Sequence, residues 1–484
     1  MHTTTDAGPT RTEKDTMGEM TVPASALYGA STQRAVQNFP ISHRPVPAGV
    51  VRAFGALKAA CARVNMDLGR LNKERGGAIV EAAEAIGRGD HAEHFPVDIF
   101  QTGSGTSTNM NANEVIANLV CVAKGAALGS SKDAAYLGDQ ETGAGVHPND
   151  HVNMGQSSND TFPTAIHIAA AQAIHASLIP ALTRLADELS KKAEAWDGIV
   201  KIGRTHLQDA TPIRLGQEFA GYAQQARYAV SRAERALEAL LELPIGGTAV
   251  GTGINTHPEF DTRVCQKLTD ATGLPFRAAL DHCEAQHAKD ACVEASGLLK
   301  TIAISMSKIA NDVRWMGSGP RCGIGELKLP AVQPGSSIMP GKVNPVICEA
   351  VVMVACQVVG NDAAVTMGNA GGVGSVLDLN VAMPMIADNL CESITLLANG
   401  ADVFVDNLLV GLEPDEARCD ELIEGSLAMC TSLVPVIGYD ASAALAKKAY
   451  ATGKTVRQVA IEDGVLDETR LNGLLDPDSM TKPS

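Results

Sequence analysis

The chain of 484 residues is poor in several features that would assign it to particular classes of protein. Aromatic residues make up only 4% of it while alanine and glycine are plentiful, which favours closely packed helices over a β-sandwich. Its eleven cysteines occur singly without a C-x-x-C pair, a pattern typical of reduced thiols in an intracellular protein. The formal net charge of −16 argues against nucleic acid or an anionic membrane as the main partner.

The N-terminal segment "MHTTTDAGPTRTEKDTMGEM" shows no targeting signal. It has no apolar core, as a secretory signal would, and its acids Asp6, Glu13 and Asp15 disfavour a mitochondrial transit peptide. We expect no apolar run that approaches the roughly 20 residues of a membrane span. The sequence therefore predicts a cytoplasmic protein whose first 15 or so residues are disordered.

Long stretches of helical periodicity dominate the middle of the chain. Apolar residues recur at steps of three and four through 161–196, 216–243 and 288–316, and again near 346–367 and 380–410. This pattern predicts an all-α fold with an elongated central bundle. The wide, alanine-rich faces favour an oligomer, and a single-chain bundle with solvated outer faces is the alternative.

The same pattern divides the chain into three predicted domains. A mixed, mainly helical N-terminal domain covers 1–155, the long-helix bundle covers 156–412, and a small helical C-terminal domain covers 413–484.

Small hydroxyl and amide residues run into predicted helix starts in four separate loops. In "TGSGTSTNMNANE" Asn111 and Glu114 have the spacing of a capping box, and in "GQSSNDTFP" Asp160 is the expected N-cap. In "GRTHLQDATP" and "GSSIMPGKVNP" the expected cap is followed by a first-turn proline: these pairs are Thr211–Pro212 and Asn344–Pro345. Helix N-termini attract anions, so the four loops together predict an anion site.

The loop "QPGSSIMPGKVNP" superficially resembles a phosphate-binding Walker loop. Five residues rather than four separate Gly335 from Gly341, and Val343 occupies the place of the required hydroxyl residue. A nucleotide-hydrolysing function is therefore disfavoured, and carboxylates are the anions that hydroxyl and amide donors suit.

Taken together, the loops resemble the fumarase/aspartase superfamily. "GSSIMPGKVNP" resembles the signature of the superfamily, and "SSNDTFPTAIHIA", "GRTHLQDATP", "GQEFAGY" and "HPND" are similar to its class II fumarase branch. The resemblance runs from about Asp15 to the C-terminal "MTKP". It implies a homotetramer with a core of long helices, in which three subunits build each active site. It also implies reversible, stereospecific hydration of fumarate to L-malate without metal or organic cofactor.

The resemblance assigns catalytic roles to four side chains. Ser336 is the base toward carbon, and Lys342 and glycine-flanked backbone N–H groups are the donors that can stabilise its anion. His206 activates water or protonates the leaving hydroxyl, with Glu349 as its carboxylate partner. The predicted substrate-binding residues are Ser104, Gly105, Thr106, Ser157, Ser158, Asn159, Thr205, Ser337, Lys342, Val343 and Asn344.

A second dicarboxylate site is implied at His147, Pro148, Asn149 and Asp150. His151 follows this motif where the family usually has aspartate. Further departures from the family pattern are Thr108, Met154 with Gly155, and Asp378, which bear on rate and loop motion rather than on the catalytic set.

Two other functions remain open on the sequence. The nearest is an aspartate ammonia-lyase, which has glutamine at the position of His206 and needs no histidine to expel ammonia. A non-catalytic homologue is the other, disfavoured by the intact catalytic set.

Two further signals are discounted. The pairs His91 with His94 and His147 with His151 have metal-compatible spacing, but no third ligand is evident in the sequence. The glycine-rich segment "IGGTAVGTG" lacks the strand and spacing of a nucleotide-binding loop.

Overall fold

Long helices and pairs of short strands make up the chain in the computed structural model, which describes residues 8–139 and 141–483. The helices up to the first hairpin of the middle region are α1 (Ala30–Asn38), α2 (Ala48–Asp67), α3 (Lys73–Arg88), α4 (Thr106–Ala123), α5 (Ala134–Leu137), α6 (Ser158–Ala173) and α7 (Ile179–Ala195). They are followed by α8 (Leu215–Ala239), α9 (Phe260–Thr272), α10 (His282–His287), α11 (Asp290–Met316), α12 (Val346–Asn369) and α13 (Met383–Phe404). The last are α14 (Glu416–Gly425), α15 (Val434–Ile437), α16 (Tyr439–Thr452), α17 (Val456–Glu462) and α18 (Glu468–Leu474).

The strands are short and pair two by two. They are β1 (Thr10–Asp15), β2 (Gly18–Pro23), β3 (Val200–Thr205), β4 (Gln208–Arg214), β5 (Glu242–Leu243), β6 (Arg277–Ala278), β7 (Leu327–Lys328), β8 (Ser375–Val376), β9 (Leu379–Asn380) and β10 (Glu413–Pro414). Pairing is antiparallel for β1–β2, β3–β4, β8–β9 and β7–β10, and parallel for β5–β6. With so little sheet, the all-α prediction is confirmed.

All five stretches of helical periodicity form helices in the structure. The stretch predicted at 161–196 comprises α6 and α7, which a π-helical turn at Ile174–Leu178 joins without a break. The other four stretches correspond to α8, α11, α12 and α13. Periodicity therefore predicted the elements correctly and misplaced their ends by a few residues.

The chain divides into two compact units, each assembled from separate stretches. The first unit comprises the chain up to Ile179, Arg232–Thr301 and Cys356–Leu397, and the second comprises Pro180–Ser231, Ile302–Ala355 and the chain from Ala398 on. Within the second unit, α14 to α18 pack around a core of their own that includes Leu433, Leu445 and Val459. The three-domain division at 155 and 412 stays a prediction.

The N-terminal segment differs from the expectation of disorder through residue 15. Thr10–Asp15 pairs with Gly18–Pro23 in a hairpin, and Arg11 donates hydrogen bonds to Glu13 and to the carbonyl of Tyr28 at 2.8 Å. The hydrogen bond to Tyr28, 17 residues away in sequence, helps to order the strand, which polar composition alone did not predict. Residues 1–7, where disorder was also expected, lie outside the described residues.

Two helical stretches are long and apolar enough, by length and composition alone, to cross a membrane: Ser158–Ala195 and Val346–Asn369. The expectation that no apolar segment approaches that length is therefore wrong. In the apolar 18-residue segment of the first stretch 61% of the residues are buried, as is typical of a core helix, but in that of the second stretch only 33% are buried. Helix α12 exposes Met353 and Met367 while it buries Asn361 and Asp362, so its outer face is apolar.

His167 on α6 is a buried histidine that makes stability depend on pH. Its Nδ1 lies 2.7 Å from the carbonyl oxygen of Glu242. Burial lowers the pKa of His167 to about 4, and nearby Lys289 acts in the same direction. Between the unfolded pKa near 6.5 and this value, the unfolded chain binds a proton and the folded chain does not, so stability is lost as pH falls through this window.

We expect this histidine to cost about 3 kcal/mol of stability on acidification from about pH 7 to about pH 4. His167→Gln keeps a donor near Glu242 but does not titrate, so its denaturation midpoint should fall less over that range. His175→Gln, at an exposed position of the same helical stretch, is the matched control. Equal acid sensitivity of the two variants would contradict the assignment.

Candidate active site

Hydroxyl side chains converge at the starts of two helices in the first unit. Ser104 Oγ lies 2.8 Å from Thr106 Oγ1, which lies 2.7 Å from Ser158 Oγ. Thr106 opens α4 and Ser158 opens α6, and Gly105, the N-cap of α4, has φ 71°. A Cβ at Gly105 would lie 2.0 Å from the ring of Phe162, so glycine is required there. The structure thus brings together these predicted substrate-binding residues at two helix N-termini, where anions bind favourably.

The start of α6 is a capping box in which Ser157, and not Asp160, is the N-cap. Ser157 is the N-cap, and Asp160 is the third helical residue, whose Oδ1 accepts from the backbone N–H of Ser157 at 2.9 Å. The prediction of Asp160 as N-cap is therefore wrong by three positions, because serine can take the cap when an acid is available to reciprocate. Asn159 donates through Nδ2 to the carbonyl of Ala249 at 2.8 Å.

The glycine-rich segment supports this helix start, a role that the sequence did not indicate. Asp160 Oδ2 accepts from the backbone N–H groups of Gly246 at 3.1 Å and Thr248 at 2.9 Å. Burial is the main cause that raises the pKa of Asp160 to about 6. The segment "IGGTAVGTG" thus stabilises the start of α6, next to Ser157–Asn159, through its hydrogen bonds to Asp160.

A buried lysine, which was not predicted from the sequence, hydrogen-bonds to residues that adjoin the same segment. Lys58 on α2 donates through Nζ to Asn109 Oδ1 at 2.7 Å, Asn153 Oδ1 at 3.0 Å and Gln156 Oε1 at 2.9 Å. Burial lowers the pKa of Lys58 to about 7. A charged residue within the apolar run of α2 was the only signal in the sequence.

The predicted capping box at Asn111 and Glu114 is wrong, because both residues lie inside α4. Glu114 caps a different helix: its carboxylate accepts from the backbone N–H groups of Gly29 at 2.9 Å and Thr32 at 3.1 Å, at the start of α1. The side chain of Glu114 does cap a helix, but that helix is remote from Glu114 in sequence.

His206 lies at the tip of the β3–β4 hairpin in the second unit. Thr205 pairs with Gln208, which leaves His206 and Leu207 as a two-residue turn with φ 58° and 60°. Left-handed backbone favours Asn-Gly in such turns and costs other residues about 1–2 kcal/mol each. The expectation of a helix start at Thr211–Pro212 is wrong, since both lie in β4 and α8 begins at Leu215. A strained turn that presents a histidine is a pattern typical of functional sites.

Ser336 is the centre of a loop in the second unit that precedes α12. Its Oγ accepts hydrogen bonds from the backbone N–H groups of Ile338 at 3.2 Å and Met339 at 3.0 Å. Two such donors stabilise negative charge on the serine oxygen. The prediction was of glycine-flanked donors, whereas Ile338 and Met339 have no glycine neighbour, and the role of Ser336 as a base stays a prediction.

Lys342 and Asn344 close the same loop. Lys342 Nζ donates to Asn344 Oδ1 at 2.7 Å, and Asn344 Nδ2 donates to the carbonyl of Gly335 at 2.7 Å. Asn344 therefore holds the loop and does not cap α12 as predicted, and Pro345 precedes the helix rather than opening it. The segment Gly341–Pro345, which includes Val343, lines a cavity of about 720 Å³ together with Arg314 and Trp315.

The remaining predicted catalytic and binding residues of the second unit are open to solvent. His206, Thr205, Ser337 and Lys342 are exposed, and so is Glu349 in the first turn of α12. The pairing of Glu349 with His206 stays a prediction.

The predicted second site lies on a π-helical turn at Pro148–Val152. His147 Nδ1 accepts from the backbone N–H groups of Asn149 at 3.2 Å and Asp150 at 3.1 Å. Burial lowers the pKa of His147. His147 and Asn149 line a cavity of about 620 Å³, whose other polar lining residues are Lys14, Asp15, Thr16, Ser31, Arg34, Asn38, Thr102, Thr106, Ser107 and Lys132. The cavity therefore combines cations and hydroxyl groups within an acidic protein.

The residues that depart from the family pattern make local hydrogen bonds or lie in turns. Thr108 Oγ1 donates to Gln101 Oε1 at 2.8 Å, and Gly155 has φ 70°. The carbonyl of Met154 accepts from Asn65 Nδ2 at 3.0 Å. Asp378 lies in the exposed turn between β8 and β9. None of these residues replaces a predicted catalytic group.

A third possible ligand, Glu93, lies beside one discounted histidine pair. The ligand atoms of His91, Glu93 and His94 lie within 4.8 Å of one another. However, the backbone N–H of Leu27 donates to His94 Nδ1 at 3.4 Å, and in the neutral ring this places the proton on Nε2, which faces Glu93 at 3.5 Å. A metal ion would have to displace that proton.

Family models and known proteins match most of the chain. Residues 18–360 match the "Lyase" family model, and residues 429–482 match the "Fumarase C C-terminus" model. These matches define the class, a lyase. Curated relatives include "Fumarate hydratase class II" of Corynebacterium glutamicum, 52% identical over 95% of this chain and 93% of the relative. The protein of the same description from Mycobacterium tuberculosis is also 52% identical, over 96% and 93%.

Solved structures of the same class superpose on the chain. A class II fumarase from Schistosoma mansoni is 37% identical with a TM-score of 0.92, covering 98% of this chain and all of that one. A "fumarate lyase:delta crystallin" from Brucella melitensis bound to cobalt is 42% identical with a TM-score of 0.91 over the same shares. The chain belongs to the class II fumarate hydratase family of the fumarase/aspartase superfamily.

Proposed function

We propose that this protein is a fumarate hydratase that interconverts fumarate and L-malate. The observation that carries the proposal is the Ser336 loop, where two backbone N–H groups point at one serine oxygen. Dehydration of malate requires removal of a weakly acidic proton from the carbon beside a carboxylate. A serine oxygen whose negative charge is stabilised in advance is suited to that step.

His206 acts on the oxygen side of the reaction. In hydration it takes a proton from the attacking water, and in dehydration it protonates the leaving hydroxyl group. Glu349 is the proposed partner that orients the ring and stabilises its charged form. The strained turn at His206 and Leu207 supports this role, because the fold sacrifices backbone stability to present the ring.

The substrate carboxylates bind to hydroxyl, amide and ammonium donors. The hydroxyl cluster of Ser104, Thr106 and Ser158 at two helix starts is one part of this proposed site. The remaining donors are Ser157, Asn159, Thr205, Ser337, Lys342 and Asn344, with Gly105 and Val343 lining the site. The turn at His147–Asp150 is proposed as a second dicarboxylate site.

The working form is a homotetramer whose active sites each combine three subunits. The apolar face of α12, with Met353 and Met367 exposed, supports burial against other copies. Exposure of His206 and Lys342 in the single chain supports the same conclusion, because this chemistry needs a site that excludes water. The proposed compartment is the cytoplasm and the proposed pathway the tricarboxylic acid cycle. The reaction uses side chains and water alone.

Incubation with fumarate tests the function directly. The loss of ultraviolet absorbance of the double bond should proceed in buffer without ammonium, and the product should be L-malate by chiral chromatography. An aspartate ammonia-lyase would consume fumarate only when ammonium is added, and a non-catalytic homologue would consume none. Either result would overturn the proposal.

A further inference from the structure

A buried cluster of charges lies at the base of the hairpin that carries His206. Glu326 is fully buried, and its two carboxylate oxygens accept from Arg204 Nη1 at 2.9 Å and 3.0 Å. Lys201 Nζ lies 3.3 Å from Glu326 and 3.1 Å from Glu218. Both cations belong to β3, and His206 follows directly after the end of that strand.

Lys201 and Arg204 reach the same carboxylate although they lie three residues apart in β3. In a regular strand, residues three apart point to opposite faces. The register of β3 against β4 shifts between Ile202 and Arg204, where Ala210 and Thr211 of β4 oppose the single residue Gly203, so the extra residue belongs to β4. A Cβ on Gly203 would lie 2.7 Å from the carbonyl oxygen of Thr211, so the close approach of β4 to β3 at the bulge requires glycine at this position. The long side chains of Lys201 and Arg204 both end at the Glu326 carboxylate, next to this bulge.

The backbone of Glu326 is hydrogen-bonded through both its N–H group and its carbonyl oxygen. The backbone N–H of Glu326 donates to the carbonyl of Met316 at 2.8 Å, and its carbonyl accepts from Asp415 at 2.8 Å. Glu326 is therefore anchored to α11 and to the segment before α14, and the hairpin is attached to it through Arg204 and Lys201.

We propose that Glu326 is a positioning residue for the hydration reaction, holding the hairpin through Arg204 and Lys201 so that His206 keeps its place. The inference rests on the proposed function. It explains how a turn with left-handed His206 and Leu207 persists, since such backbone survives only where the surroundings determine it. It also explains why ions are buried here, where apolar residues of similar size would give comparable stability.

Two variants test the proposal. Glu326→Gln keeps the shape of the side chain but removes its charge. Arg204→Met keeps the Lys201–Glu326 pair, so this second variant tests the proposal if Glu326→Gln fails to fold. Each should lower kcat roughly ten- to hundred-fold while KM for fumarate stays within about two-fold, because small misplacement of a reacting group affects the chemical step. Arg457→Met, which breaks the Arg457–Glu424 pair of the C-terminal helices, is the matched control and should lower the thermal midpoint at unchanged kcat.

A double-mutant cycle with His206→Asn separates positioning from general stabilisation. If Glu326 acts through His206, Glu326→Gln or Arg204→Met should have little further effect on kcat once His206 is replaced. Additive losses, or a lowered thermal midpoint with kcat retained, would overturn the inference. If His206→Asn alone leaves hydration unchanged, the proposed role of His206 fails first, which distinguishes the two failures.

Discussion

Ser336→Ala is expected to reduce hydration of fumarate by roughly 1,000-fold or more, the largest effect of any single substitution in this chain. Alanine removes the oxygen toward which the N–H groups of Ile338 and Met339 point, and no other atom of the loop can replace it as a base. The loop itself should keep its form, because the contacts from Gly335 to Lys342 and Asn344 do not involve the serine side chain.

The measurement is kcat for fumarate hydration together with the dissociation constant of a non-reactive dicarboxylate such as succinate. Succinate binding should change by no more than a few-fold, since Ser336 is proposed to act on the reacting carbon. Ser42→Ala is the matched control, because Ser42 Oγ also accepts a backbone N–H two residues on, from Arg44 at 3.2 Å. A Ser336→Ala enzyme that keeps a tenth of its activity would remove the serine from the mechanism.

Helical periodicity was sufficient to predict the architecture because burial of one face imposes it along the whole helix. Helices α11 and α12 appear within a few residues of their predicted bounds. Hairpins were not predicted, since β3 and β4 are short and "GRTHLQDATP" contains Thr-Pro, which is typical of a helix start. The spacing of residues within a short segment cannot show whether the segment forms a helix cap or a strand, because this depends on partners that are remote in sequence.

Among the predicted site residues, local contacts follow from proximity in sequence, whereas Ser158 contacts Thr106 from 52 residues away. Ser336, Lys342 and Asn344 form one loop, and their contacts with its backbone and with each other follow from that proximity. Glu114 and Lys58 could not be predicted, because their partners come from elements remote in sequence. For such buried polar groups the sequence shows only a charge at an apolar position, and tertiary structure supplies the partner.

His206→Asn is expected to lower kcat for fumarate hydration roughly 100- to 1,000-fold, because asparagine cannot exchange a proton with water near neutral pH. The substitution is suited to this position. Asparagine tolerates left-handed backbone better than other non-glycine residues, so the turn with φ 58° at His206 should persist. The loss should therefore report on the imidazole rather than on the hairpin.

The control for this variant is His43→Asn, because His43 is another histidine with left-handed backbone, φ 56°, and it is exposed. It should leave both kcat and helicity by circular dichroism unchanged. If His206→Asn retains full turnover, the ring is not the group that handles the oxygen. If both variants lose activity equally, the cause is backbone geometry and not proton transfer. Only a loss confined to His206, with helicity kept, fits a histidine that activates water at the tip of a strained turn.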